Sequence, residues 1–405
     1  MTRRKPLSEY ANYVKEKIDA SLINADNYIS TDNMIANRGG ICRSEYVPTE
    51  GRVTRFVKGD ILISNIRPYF KKIWKATFDG GCCADVLVIR SKGFISNSYL
   101  YYVLSQDSFF DYVMTAHKGS KMPRGDKDHI MRYPVTILGD NSRALLENRY
   151  LALDEIIENN KSIIDSLTNT IQDLFNYWFV QFDFPDKSGK PYRSSGGEMV
   201  ENSTLKTLIP KEWECVQLGS IAKMLTTTIN PEKSKEYKHY SIPAYDETGI
   251  PKIESGTEID SGKYAVPSNC ILVSKLNPQF KRLWLVKESD DMSICSTEFL
   301  PFVSKDMNYE YLFGLLNSEG FYRYMVQCSS SSTGSRKRMQ PELCLLFYLP
   351  YPKDTSILKR FCELLSGYVE MIITLKNENQ ELISLRNYSI PLILNGQAIL
   401  TGKTE

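Results

Sequence analysis

The residues able to do chemistry are few, and their spacing suits none of the common reactions. Three histidines occur, His117, His129 and His239, none spaced as a metal pair, and neither the Gly-x-Ser-x-Gly turn of a serine hydrolase nor the His-Glu-x-x-His helix of a zinc protease is present. Asn277-Pro278-Gln279-Phe280 approaches the Asn-Pro-Pro-Tyr/Phe signature of amino-methylating enzymes but lacks its second proline, and a strand-end turn accounts for it. The stretch from Gly256 to Lys263 is one residue too long for a phosphate loop, and no Ser or Thr follows its lysine. Asp and Glu are plentiful, and dispersed carboxylates usually form solvated surface. A nuclease cluster assembled from distant carboxylates stands as the catalytic alternative.

A different chemistry, hydrogen bonding to nucleic acid, is better supplied. Reading a duplex needs polar side chains at base edges and Lys or Arg on phosphates. Lys118, Ser120, Lys121 and Arg124 surround the Gly119-Ser120 turn, and Ser335, Arg336, Lys337 and Arg338 follow Gly334. A solvated basic loop is the plain reading of either run alone. Recurrence of Gly-Ser plus basic residues at equivalent positions favours DNA contact. Lys71-Lys72 and Lys281-Arg282 follow a repeated strand and are candidates for phosphate or for a structural role. Trp74 and Trp284, single aromatics after strands, read as core.

Equivalence of the loops rests on an internal repeat, which decides architecture before any local motif does. Residues 61–74 reappear as residues 271–284 at a constant offset of 210, Ile61-Leu62-Ile63-Ser64 matching Ile271-Leu272-Val273-Ser274 and Pro68, Phe70 and Trp74 matching Pro278, Phe280 and Trp284. Tyr28 with Tyr240, Ser91-Lys92 with Ser304-Lys305, Tyr99-Leu100 with Tyr311-Leu312 and Gly119-Ser120 with Gly334-Ser335 come in the same order, with offsets that drift as loops change length. The chain is therefore expected to hold two copies of one unit of about 150 residues, each followed by a long helix. The β-branched segments at 61–68 and 270–278 read as strands, and residues 96–116 and 308–327 as helices opened by Ser or Asn.

The long helices carry heptad seams. Leu153, Ile157, Asn160, Ile164, Leu167, Ile171, Leu174 and Trp178 alternate by four and three, as do Phe361, Leu365, Tyr368, Ile372, Leu375, Asn379 and Leu382. Pairing them antiparallel with Asn160 opposite Asn379 sets every other seam position apolar against apolar. A buried asparagine costs stability but selects register. Helices of about 35 residues extend roughly 50 Å at 1.5 Å per residue, more than the ~34 Å of one duplex turn. Such a spacer suits a DNA site in two parts; a coiled coil joining two domains for another purpose explains it too.

Bulk composition allows this reading without announcing it. Hydrophobic residues make up 42%, charged residues 24% and aromatics 11% of 405 residues, as in ordinary globular proteins of two or three domains. Net charge is only +2, but residues 1–141 hold 21 Lys and Arg against 15 Asp and Glu. Nine cysteines without Cys-x-x-Cys spacing imply reduced thiols, and no apolar run is long enough for a leader or a membrane span, so a cytoplasmic protein is expected.

Residues 171–185, the opening of the second unit at 210–219 with Trp213-Glu214, and the Leu-, Pro- and Gly-containing tract at 385–396 make the chain resemble the specificity subunit of Type I restriction-modification systems. The likeness covers nearly the whole chain. It departs at the start, where the first unit begins at Pro6-Leu7-Ser8 without the Trp-Glu lead-in, and at Asn395, where serine is common. The resemblance implies an α/β (α+β) fold with target recognition domains at 1–141 and 191–353. A central spacer helix and following tract would occupy 142–190, and a C-terminal spacer helix and tail 354–405. It further implies that each domain reads half of an asymmetric DNA site and that the helices dock two methyltransferase subunits, with translocating nuclease subunits joining the larger complex. No cofactor is expected on this chain; S-adenosylmethionine would belong to the methyltransferase subunits, ATP and Mg to the nuclease subunits. A non-DNA scaffold and a self-contained methyltransferase or nuclease are the alternatives.

Overall fold

The computed structural model describes residues 3–116, 123–331 and 337–400. The chain forms two compact units, the first made of Met1–Glu158, Asp246–Thr248 and Gln380–Glu405, the second of Asn159–Tyr245 and Gly249–Asn379.

In the first unit a fully buried strand, Ile61–Ser64, lies at the centre of an antiparallel sheet in the order Ala11–Tyr13, Val86–Ser91, Ile61–Ser64, Ile73–Lys75. Side chains alternate across it. Ile61, Ile63, Ile73, Leu87 and Ile89 join the cluster that contains the helical Tyr99, Leu100, Phe109 and Phe110. Leu62, Trp74, Val86 and Val88 join Ile29, Phe56 and Cys82 of a second sheet. That sheet runs Lys17–Asp19, Arg52–Phe56, Gly80–Cys82, Tyr28–Ile29, with only the last pair parallel. The layering is helices, sheet, sheet, and a strand covered on both faces must be continuously apolar, which explains its composition.

The second unit repeats this order strand for strand. Ala222–Met224, Phe299–Ser304, Cys270–Ser274 and Leu283–Val286 form one sheet. Thr228–Ile229, Lys263–Ala265, Ser293–Cys295 and Glu236–Tyr240 form the other, again with a parallel last pair, extended by Lys252–Ser255. Trp74 and Trp284 are both buried in their cores.

Two expectations are corrected. Residues 96–116 and 308–327 each form two helices, Asn97–Leu104 then Asp107–Thr115, and Tyr309–Leu316 then Glu319–Gln327. The break is a fresh start: Gln106 and Ser318 are extended, and Ser318 Oγ accepts the Phe321 N–H at 3.3 Å as an N-cap. The lead-in strand is also present in both units. Arg3–Pro6 pairs antiparallel with Pro134–Ile137 as Trp213–Gln217 does with Tyr348–Pro352.

The long helices are Asp140–Phe175, closed by a π-helical turn at Asn176–Val180, and Ser356–Leu394, which contains Pro391. Their contacts run in opposite directions. In the first unit Tyr150 Oη lies 2.6 Å from Ser389 Oγ, and Arg386 donates to Asp154 at 2.6 Å. In the second, Asn160 Nδ2 donates to Asn379 Oδ1 at 3.0 Å and to Glu378 at 2.9 Å, and the Trp178 and Phe361 rings are 5.3 Å apart. Both asparagines are buried. The seam departs from the heptad where the helices enter the second unit's core: Phe175 and Val369 are buried, whereas Leu174 is only half-buried and Tyr368 is exposed. Leu358, Phe361, Leu365 and Val369 follow steps of three, four and four, about three α-helical turns, which bury Val369 in place of the heptad's Tyr368.

Candidate nucleic-acid interface

The repeated strand ends in a turn that both units build with the same backbone bonds. Ser64 N and Ser274 N donate to Lys72 O and Arg282 O, each at 3.0 Å, and Phe70 N and Phe280 N to Arg67 O and Asn277 O, each at 2.9 Å. The turn is tied to the neighbouring strand by Asn65 N to Asp85 O and Lys275 N to Glu298 O, both 2.8 Å. It is also tied to the described flank of the basic loop. Arg67 N donates to Pro123 O and Asn277 N to Lys337 O at 2.8 Å, and Ile66 with Arg124 and Leu276 with Arg338 form isolated bridges. The turn and the described flank of the basic loop are therefore one surface in each unit, although some sixty residues separate them in sequence.

Its charges form two sets of ion pairs. In one, Lys71 Nζ lies 2.8 Å from Asp107 Oδ1, which also binds Arg38, and Lys281 pairs with Glu319. Asp107 and Glu319 are the first residues of equivalent helices, where a carboxylate also meets the positive end of the helix dipole. Burial alone would raise the Asp107 carboxyl; hydrogen bonds from Lys71 and Arg38 outweigh it and hold it below its ordinary range. The hydrogen bond from Lys281 holds Glu319 down in the same way. Lys72 is half-buried and donates to Thr31 O at 2.6 Å, and burial pushes its ammonium below the usual lysine value. Arg282 lies over the Phe280 ring, 5.4 Å from its centroid.

In the other set, Arg124 and Arg338 are anchored alike. Arg124 lies 3.3 Å from Asp85 and Arg338 2.8 Å from Glu298, with side chains 63% and 45% exposed, so each guanidinium is aimed by one carboxylate and open to a second acceptor. Lys337 is exposed, and its ammonium has no partner among the described residues. Lys118, Ser120, Lys121, Ser335 and Arg336 lie outside the described residues. Tyr69, Phe70 and Phe280, all exposed, border the same turns.

Two features escaped the sequence reading. The carboxylates that hold Lys71, Lys281, Arg124 and Arg338 recur at near-constant offsets, Asp107 with Glu319 and Asp85 with Glu298, a signal visible only once acidic positions are aligned along with basic ones. Arg67 and Asn277, both left-handed at φ 50° and 49°, gave no signal, because proline ordinarily keeps its preceding residue extended.

No family model matches the chain. Over 156 residues, 38% of this chain and 34% of the relative, it is 25% identical to the specificity subunit of the Type I restriction enzyme MjaIX of Methanocaldococcus jannaschii. Over 80 residues, 20% of this chain and 18% of the relative, it is 35% identical to the specificity subunit of the Type I restriction enzyme EcoDI of Escherichia coli. The matched stretches thus span about a third and about a fifth of those relatives' own lengths. The fold is that of the crystallised S subunit of a Type I restriction-modification system from M. genitalium, with a TM-score of 0.53 and 12% identity over 96% of this chain and 95% of that one. Over these stretches of sequence, and in its fold, the chain is similar to specificity subunits of Type I restriction-modification systems.

Proposed function

We propose that the chain is the non-catalytic, DNA-binding specificity subunit of a Type I restriction-modification complex, each unit reading one half of a bipartite, asymmetric site. The observation that carries this is the duplicated surface: the same turn, the same tethered arginine and the same basic flank occur in both units. Two separate selections of one solvated loop do not explain it. Arg124 and Arg338, with Lys118, Ser120, Lys121, Ser335, Arg336 and Lys337 of the same loops, are assigned to DNA. Lys71 and Lys281, fixed by Asp107 and Glu319, are assigned to holding the turn in place.

Docking of methyltransferase subunits is assigned to the long helices. Leu364, Tyr368 and Met371 of the C-terminal helix are exposed at spacings of four and three, beside the buried seam. Leu385 and Tyr388 are exposed further along it, as are Ile156 and Ile163 on the central helix. Exposed aliphatics in register on a helix are the usual mark of a partner surface. The partners would bring S-adenosylmethionine, and nuclease subunits ATP and Mg, in the cytoplasm. Among the described residues no helix is long and apolar enough to cross a membrane.

The test is to co-express the chain with the methyltransferase subunits encoded beside it and map methylated adenines with and without it. A split motif that appears only with the chain, and changes in one half when residues 1–141 are exchanged, supports the reading. Methylation indifferent to the chain supports the scaffold alternative, which the near-neutral charge would suit. Methyl transfer by the purified chain alone would establish an enzyme instead.

A further inference from the structure

The two units solve the same backbone problem with different residues, and the difference isolates one side chain. At Asn277 the left-handed turn is fully accounted for: asparagine tolerates that conformation, and its Oδ1 accepts the Lys337 N–H at 2.9 Å. At the equivalent Arg67 no side-chain bond among the described residues accounts for it. The residue facing it is Pro123, which has no N–H to cap, and arginine carries the ordinary penalty of a side chain at φ 50°. Arg38 and Lys71, also left-handed, are each held by Asp107, and Arg124 by Asp85. Arg67 has no carboxylate or carbonyl partner for its guanidinium among the described residues, and its Nε is buried without a hydrogen bond. Asn65 Oδ1, on the same turn, is likewise buried and without a hydrogen bond among the described residues.

Strain of this kind persists where function requires it, and of the guanidinium only Nε is among the buried unpaired atoms, so its terminal nitrogens are left for a bound partner. The geometry points to Arg67 as a specificity-determining residue by which the first unit reads a guanine. This inference rests on the DNA-reading function proposed above. Bonds to Pro123 O and from Phe70 N fix the backbone at Arg67, so its half-buried fork is presented with little freedom, as bidentate recognition of guanine O6 and N7 requires. Phosphate contacts come instead from long, exposed side chains such as Lys337. In the second unit Asn277 spends its amide oxygen on Lys337, so the two units differ at this position in what they can read.

The experiment uses the full chain with its methyltransferase subunits, comparing wild type with Arg67→Asn, Arg67→Gly and Arg67→Lys by methylome mapping and thermal unfolding. Asn and Gly, which fit the left-handed conformation, should leave the unfolding temperature unchanged or raised. One guanine in one half-site should become degenerate, its preference over other bases falling about ten- to a hundredfold, the other half-site staying as it was. Lysine keeps the charge but not the fork and should relax the same position. An unchanged motif in all three variants overturns the inference. So does a fall that is equal at every sequence, which marks a phosphate contact, or a sharp loss of stability with both Asn and Gly, which marks a structural role. A wild-type complex that methylates no split motif would instead defeat the underlying reading, before any variant is compared.

Discussion

Asp60 is fully buried in the first unit, with Arg90 on both its oxygens at 2.7 and 2.8 Å and the Val57 N–H on one of them at 2.9 Å. The second unit places Cys270 and Val303 at the same two positions, opposite each other across the sheet. One fold has thus been built with an ion pair and with an apolar pair. Asp60→Ala leaves Arg90 with Glu16 at 3.0 Å but strips the buried Val57 N–H of its acceptor, and should cost about 1–3 kcal/mol. The double change Asp60→Cys with Arg90→Val, which copies the second unit, should cost less than Asp60→Ala alone. Chemical denaturation of the three chains decides it, and a double variant weaker than the single would show that the pair does more than fill its place. At this scale the sequence was legible wherever a residue's role is set by its neighbours in the chain: Trp74 and Trp284 went to the core as their positions after strands implied. It was illegible where the partner is distant. Lys71 looked available for phosphate because Asp107, 36 residues away, is brought to it only by folding.

Among elements, the long helices were the most legible, since a sustained heptad names both the buried face and the residue opposite each asparagine. Asn160 and Asn379 meet as that pattern implies, and we infer that they hold the register. The distinguishing comparison is between single and double substitutions. Asn160→Leu alone takes the Nδ2 donor away from the buried Asn379 Oδ1 and should cost about 1–3 kcal/mol. Leucine at both positions should recover that loss or exceed wild type while admitting alternative alignments, read as broadened helix resonances or heterogeneous cross-linking. Equal losses from single and double variants would remove the register role. The heptad failed at Leu174 and Tyr368 for a physical reason: there the helices stop packing only on each other and dock into a domain, and a helix of 3.6 residues per turn then presents Phe175 and Val369 instead. The divided helices at 97–115 and 309–327 were missed because an apolar stripe at helical spacing continues across the break.

On the scale of the whole molecule, the tract C-terminal to each repeat does not serve that repeat alone. The end of the central helix and the segment after it, with Phe175, Trp178, Phe179, Phe182 and Phe184, belong to the second unit's core, where Phe184 stacks on Trp213 at 5.2 Å. The end of the C-terminal helix, with Ile390, Ile393 and Leu394, belongs to the core of the first unit, beside Tyr102, Leu146 and Tyr150. The repeat was visible in the sequence, but this exchange was not, because periodicity assigns a helix a buried face without saying which core receives it. The first unit should therefore depend on residues nearly 400 positions from its start. Ile390→Ala and Leu394→Ala each open a cavity among buried aliphatic and aromatic side chains and should cost that unit about 2–5 kcal/mol. Ending the chain at Asn379 should go further, raising amide exchange throughout residues 3–137 while the sheets at 222–304 stay protected. Hydrogen exchange read by mass spectrometry separates the two regions in one experiment. Uniform loss of protection in both would mean that the units fold as a single cooperative body, and unchanged protection in the first would mean that the C-terminal tract only rests on a core already complete without it.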